Sequence, residues 1–207
     1  MILLLLSACL LQGPGGVWDL RSRHEGQAGD QFGWRLTVGP DFDGDGWPEF
    51  LVGAPGRGWG SVGGVSLIRG GTGQVIWEFV SPYPNQIAGC AGAAVAFVPD
   101  LNFDGYEDVL VGDPCDQEFA GGSGRVYVLD GLRGIILREH TGLPYGTGSS
   151  GDETGAVVMG VLDMDGDAAG DYIVASPKSD LGSSSNNWSG KITLFSGRTG
   201  LESWSLG

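Results

Sequence analysis

A nine-residue acidic pattern that occurs three times constrains this chain more than any other feature. Asp41 to Glu49 reads DFDGDGWPE, Asp100 to Asp108 reads DLNFDGYED, and Asp163 to Asp171 reads DMDGDAAGD. Each stretch puts an oxygen-bearing side chain at relative positions one, three, five and nine. These are Asp41, Asp43, Asp45 and Glu49, then Asp100, Asn102, Asp104 and Asp108, then Asp163, Asp165, Asp167 and Asp171. So many carboxylates on one short turn repel one another unless a cation joins them. Calcium suits the pattern best, because it takes six to eight oxygen ligands in a flexible geometry. The backbone carbonyl at position seven (Trp47, Tyr106 and Ala169) can complete the set, so up to three Ca2+ sites are expected. The bland alternative is a solvated hairpin turn with no ion.

A helical EF-hand loop opens in the same way but needs a bidentate Glu at its twelfth position. Counting twelve from each first Asp gives Val52, Val111 and Val174. These valines sit in the runs FLVGAP, VLVGDP and YIVASP, short and rich in β-branched residues and closed before Pro, which is a strand signature. Each acidic loop therefore joins two strands.

The repeat extends beyond the loop. A Gly-bearing motif precedes each copy: GDQFG at Gly29 to Gly33, GCAG at Gly89 to Gly92, and GDETG at Gly151 to Gly155. A third strand follows (GVSLIRG, GRVYVLDG, GKITLFSG), then a Gly-x-x-Gly turn at Gly70, Gly131 and Gly197, then a fourth strand. The first ligand positions lie 59 and 63 residues apart, which is the length of one four-stranded propeller blade. The 40 glycines are read as turn residues between short strands. The expected fold is all-β, a propeller-type array of three four-stranded antiparallel blades over about 17–80, 81–141 and 142–207. Three blades are fewer than the four or more of a closed ring, so the array is expected to be open, a piece of a longer chain or a unit completed by self-association. Val17 to Leu20 reads as the last strand of a further blade.

The net charge of −14 argues against a nucleic-acid partner, which would call for a basic stripe. Eleven of the 25 acidic residues occupy the proposed ligand positions, and three divalent ions would bring −14 to −8. The N-terminal run MILLLLSACLLQG is too short to span a bilayer but resembles the core of an export signal over residues 1–16. Leu6-Ser7-Ala8-Cys9 also resembles a bacterial lipobox, in which Cys9 would carry a lipid anchor. A Leu-rich strand or a misplaced start are the alternatives. Cys90 and Cys115 flank the second acidic loop and could form a disulfide in an exported protein, or remain two buried thiols.

Phe32-Gly33 with Gly53-Ala54-Pro55 spells out a known signature, and the other copies are close: Ala91-Gly92 with Gly112-Asp113-Pro114, and Thr154-Gly155 with Ala175-Ser176-Pro177. With the loops between them, these residues resemble the FG-GAP repeats of integrin alpha-subunit propellers and of bacterial exported proteins. The resemblance implies a calcium-binding module that works outside the cell in adhesion or ligand recognition, secreted or anchored at the cell surface or a bacterial outer membrane. Two departures bear on the sites. Ala168 replaces the Gly at loop position six, which marks the third site as the least certain, and Asn102 replaces a carboxylate, which predicts a weaker second site.

No GxSxG or HExxH motif is present, and the acids are accounted for as ligands, so no enzyme is expected. His24 and His140 lie outside the repeat markers and are read as polar surface. If the strands run up and down in sequence, the acidic loops lie at one end and the longer segments at the other. Those segments carry Trp59, Tyr83, Phe119, Tyr145 and Trp188, the candidate contacts for a protein or glycan ligand. The bland reading is that these aromatics fold back over blade edges. Alternatives for the whole are the non-catalytic propeller of a larger exported enzyme and a calcium-stabilised spacer.

Overall fold

A computed structural model describes residues 23–58, 62–83, 89–117, 122–142, 151–179 and 188–206. The segment containing Cys9 and Val17 to Leu20 lies outside them, as do Trp59, Phe119 and Tyr145. Among the described residues there are twelve strands and no helix. The first sheet holds β1 (Arg35–Val38), β2 (Phe50–Ala54), β3 (Gly64–Ile68) and β4 (Val75–Val80). The second holds β5 (Ala94–Val98), β6 (Asp108–Asp113), β7 (Arg125–Leu129) and β8 (Ile136–Thr141). The third holds β9 (Val157–Val161), β10 (Asp171–Ser176), β11 (Lys191–Phe195) and β12 (Glu202–Leu206). Each sheet is an antiparallel meander in chain order, and none closes on another into a ring.

The sheets pack face to face in sequence. β5 lies against β1 and β2, and β9 against β5 and β6, so the leading strand of each sheet is the one wedged into its predecessor. This placement explains why inner strands such as β3, β6 and β7 are buried along their whole length and are apolar on both faces over most of it. Leu51, Leu67, Trp77 and Phe79 meet Val109, Val111, Tyr127 and Leu129 between the first two sheets. Leu110, Val126 and Val128 meet Val158, Tyr172 and Val174 between the second and third. Each such side chain contributes about 1.5–3 kcal/mol by leaving water.

The glycine signature marks the seams between blades. A Cβ on Gly53 would stand 2.1 Å from the carbonyl oxygen of Gly92, and one on Gly112 would stand 2.0 Å from that of Gly155. The first glycine of one repeat's GAP-type stop is therefore small because the FG-type glycine of the next blade rests on it. Those FG-type glycines have φ of +90° and +89°, the left-handed region that favours Gly. Parallel bridges Gly63–Ala91 and Gly124–Thr154 run alongside.

Polar contacts repeat across the same seams. Trp77 on β4 donates its indole N–H to Gly131 O at 2.8 Å, and Arg138, its counterpart on β8, donates to Gly197 O at 2.6 Å. Cys90 and Cys115 are joined in a disulfide. His140 departs from the surface position expected of it. It lies on β8 with Nε2 2.6 Å from the Tyr172 hydroxyl and its ring stacked on Phe195. Burial holds it below the ordinary His range, at about 4.

The outer faces of the first and third sheets have no neighbouring blade among the described residues. Leu36, Val38 and Val75 are exposed on one, and Val157, Met159, Trp204 and Leu206 on the other.

Candidate metal centres

The three acidic stretches form the β1–β2, β5–β6 and β9–β10 loops, and each folds around its own first Asp. Asp41 accepts N–H bonds from Gly44 (2.7 Å) and Gly46 (2.8 Å). Asp100 accepts from Gly105 (2.7 Å), and Asp163 from Gly166 (2.7 Å) and Ala168 (2.9 Å). These amides hold the Asp163 carboxyl below the usual carboxylate range, the Gly166 bond first. The position-five carboxylates Asp45, Asp104 and Asp167 accept from the position-seven amides of Trp47, Tyr106 and Ala169 at 2.8, 3.0 and 2.8 Å. Ala168 adopts φ +67° despite its Cβ, so the third loop keeps the same turn as the others.

Position nine is buried in all three copies: Glu49, Asp108 and Asp171 have no exposed surface. Each ties down the loop's opening through a backbone amide, from Phe42 (2.5 Å), Leu101 (2.8 Å) and Met164 (2.8 Å). The second oxygen of Asp108 accepts from Gly131 N (3.0 Å), and that of Asp171 from Gly197 N (2.9 Å). Glu49 Oε1 is buried with no hydrogen-bond partner. Burial pushes the Glu49 carboxyl up from its ordinary value, with Asp43, Asp41 and Asp45 adding to the rise, and pushes Asp108 up to about 6. An orphaned carboxylate oxygen beside three like charges is costly without a cation.

Asp41, Asp43, Asp45 and Glu49 each present an oxygen within 4.8 Å of the others, and so do Asp163, Asp165 and Asp171. These sets fit a hard cation such as calcium. Asp167 stands outside the third cluster and accepts from Ser196 Oγ at 2.9 Å. In the second loop the acids are not gathered into such a trio; Asn102 Nδ2 lies 3.3 Å from Asp104.

Sequence reasoning missed the residues that reach these loops from the β3–β4, β7–β8 and β11–β12 turns. Arg69 pairs with Asp43, Arg133 approaches Asp104 at 3.7 Å, and Arg198 approaches Asp167 at 3.7 Å. Asp130 lies 3.4 Å from Asn102 Nδ2. The only signal was their place next to, or within, each Gly-x-x-Gly turn.

At the opposite end, Tyr83 is half-buried. Its hydroxyl donates to Glu139 at 2.9 Å, and the Arg125 guanidinium lies 4.1 Å from its ring centre. Arg125 also pairs with Asp116 and Glu139. Trp188 is 53% exposed, with Lys178 Nζ 5.3 Å from its ring. The buried Asp113 accepts from Cys90 N (2.8 Å), its Oδ2 has no partner, and burial pushes it up to about 7.

Blades in which an acidic hairpin loop lies between an FG-type glycine and a GAP-type stop define a class of propeller repeat. The family profile described as FG-GAP repeat matches residues 32–75 and 91–129, so the chain carries FG-GAP repeats there. Human integrin alpha-7 is 32% identical over 70% of this chain and 12% of that protein. Chicken integrin alpha-6 is 32% identical over 76% of this chain and 15% of that protein. The chain thus spans less than a fifth of the length of these relatives. A solved structure titled as the crystal structure of BBS1N in complex with ARL6DN, soaked with lead, superimposes with a TM-score of 0.43 at 13% identity, covering 83% of this chain and 55% of that one.

Proposed function

We propose that this chain is a calcium-stabilised, non-catalytic recognition module that works outside the cell, in adhesion or ligand binding. The observation that carries the reading is the first loop: four converging carboxylates, one of them buried with an unpaired oxygen. The chain's own residues build the rest of the site by fixing each carboxylate with backbone amides. Bound calcium would supply the positive charge that lets Glu49, Asp108 and Asp171 remain ionised in the interior. The carboxylates of the three loops are read as cation ligands rather than as acid–base groups. Likeness to integrin alpha subunits supports an extracellular, protein-binding role, and the disulfide suits an oxidising compartment. An N-terminal export or lipoprotein-type signal would deliver it there.

Calcium should raise the melting temperature and a chelator should lower it, by mass action on the native state alone. Melting that ignores both would remove the metal from the account. The ligand face is placed at the end opposite the acidic loops, with Trp188 as its exposed aromatic and Trp59, Phe119 and Tyr145 on the same set of connections. Trp59→Ala with Trp188→Ala should abolish retention on a panel of glycans and extracellular proteins while calcium uptake persists. Loss of both together would move the ligand site elsewhere.

The exposed apolar outer faces favour a second element of the reading. Further blades or a second copy of the chain would cover Leu36 and Val38 on one side and Val157, Met159 and Trp204 on the other. Sedimentation should show concentration-dependent association, and a strict monomer at high concentration would argue against the second copy.

A further inference from the structure

The residue that follows the third strand of each blade touches the acidic loop of that blade, and its charge differs in each case. Arg69 pairs with Asp43. Asp130, 1% exposed, has Oδ2 3.4 Å from Asn102 Nδ2. Ser196 donates Oγ to Asp167 at 2.9 Å. A turn arginine adds to the second and third loops. Arg133 lies 2.8 Å from Asp130 and 3.7 Å from Asp104, and Arg198 donates to the Asp167 carbonyl at 2.7 Å while facing its carboxylate at 3.7 Å.

Taken with these contacts, the three sites carry the same charge. The first has Asp41, Asp43, Asp45 and Glu49 against Arg69. The third has Asp163, Asp165 and Asp171 in its cluster and Asp167 beside it in the same loop, against Arg198. The second has only Asp100, Asp104 and Asp108 from its loop, but Asp130 makes a fourth carboxylate against Arg133. Each site therefore combines four carboxylates with one guanidinium, and the one blade that lacks a carboxylate at loop position three is the one with an acid at this turn position.

The turn itself does not require that acid. Asp130 Oδ1 accepts Arg133 N at 2.8 Å, and Ser196 Oγ accepts Thr199 N at 3.3 Å, so a neutral hydroxyl caps the equivalent turn. We propose that Asp130 supplies the second calcium site with the negative charge that Asn102 withholds, and that Arg69, Arg133 and Arg198 each set the net charge of the site they face. The proposal rests on the calcium reading above. It replaces the expectation of a weaker second site with three sites of similar affinity.

The test is a calcium titration of the full, isotope-labelled chain, read at the backbone amides of Gly46, Gly105 and Ala168. Each of these amides donates to the first Asp of its own loop, so each reports one site. Asp130→Asn keeps the turn-capping oxygen and removes the charge. It should raise the calcium dissociation constant read at Gly105 about tenfold, the scale of one unit charge near a divalent ion under strong screening, and leave Gly46 and Ala168 unchanged. Adding Asn102→Asp should restore it, and Arg69→Gln should tighten the site read at Gly46. Asp130→Ser, with the residue type that caps the third blade's turn, gives the same test should the Asn variant fold poorly.

An unchanged Gly105 response, an equal loss at all three amides, or no rescue by Asn102→Asp would overturn the proposal. In those cases the calcium reading would stand, since the parent chain would still titrate. A parent chain in which no amide responds to calcium would overturn both.

Discussion

Ala168 holds a left-handed backbone at φ +67° in the place where the first two loops use Gly46 and Gly105. Phe103 does so at φ +62° where the other loops use Gly44 and Gly166. A side chain there costs about 1–2 kcal/mol, so Ala168→Gly should stabilise the protein by about 1 kcal/mol in chemical denaturation. Phe103→Gly should gain less, because the Phe103 ring lies 5.5 Å from the Arg198 guanidinium. Asp113 gives a prediction in pH. Its folded value is raised from 3.8 to about 7, so the native state holds the proton more tightly and stability is lost as pH rises through this window. Asp113→Asn should abolish that loss, and denaturation curves of the two proteins should diverge from pH 4 to pH 7 and run parallel above it. The acidic loops were legible in the sequence because their carboxylates lie within nine residues of one another. Asp130 and the turn arginines were not, because their contacts cross about thirty residues of chain and depend on where the third strand ends.

At the scale of elements, the strands were legible from their apolar runs and the turns from their glycines. What the glycines are for became visible only in pairs: Gly112 is required by the carbonyl of Gly155 in the next blade. Gly112→Ala should therefore cost about 1–3 kcal/mol by overpacking the seam, measurable as a lowered denaturation midpoint. The third repeat already has Ala175 at this position, on an outer sheet. Trp77→Phe removes a buried indole bond to Gly131 and should cost about 1 kcal/mol or somewhat more. The disulfide spans 25 residues, and its reduction should lower stability by about 3 kcal/mol. His140 was misread because nothing local distinguishes a surface His from one stacked between blades; Tyr172 and Phe195, which bury it, belong to the next repeat.

At the scale of the molecule, the repeat spacing made three blades legible, and the structure arranges them as an open series of packed sheets. Each acidic loop lies at the same end of its blade and is tied to the neighbouring turn, by Arg69 in the first blade and by the position-nine carboxylate in the second and third, so a cation there would brace both turns of a blade. Calorimetric titration of the chelator-stripped chain with calcium tests this most directly. Uptake of three ions per chain is expected, with dissociation constants of about 10⁻⁴ to 10⁻³ M, the range of extracellular calcium modules, and a melting temperature that rises with each addition. Heats no larger than dilution up to about 10 mM calcium, an order of magnitude above that range, with an unchanged melting temperature, would contradict it.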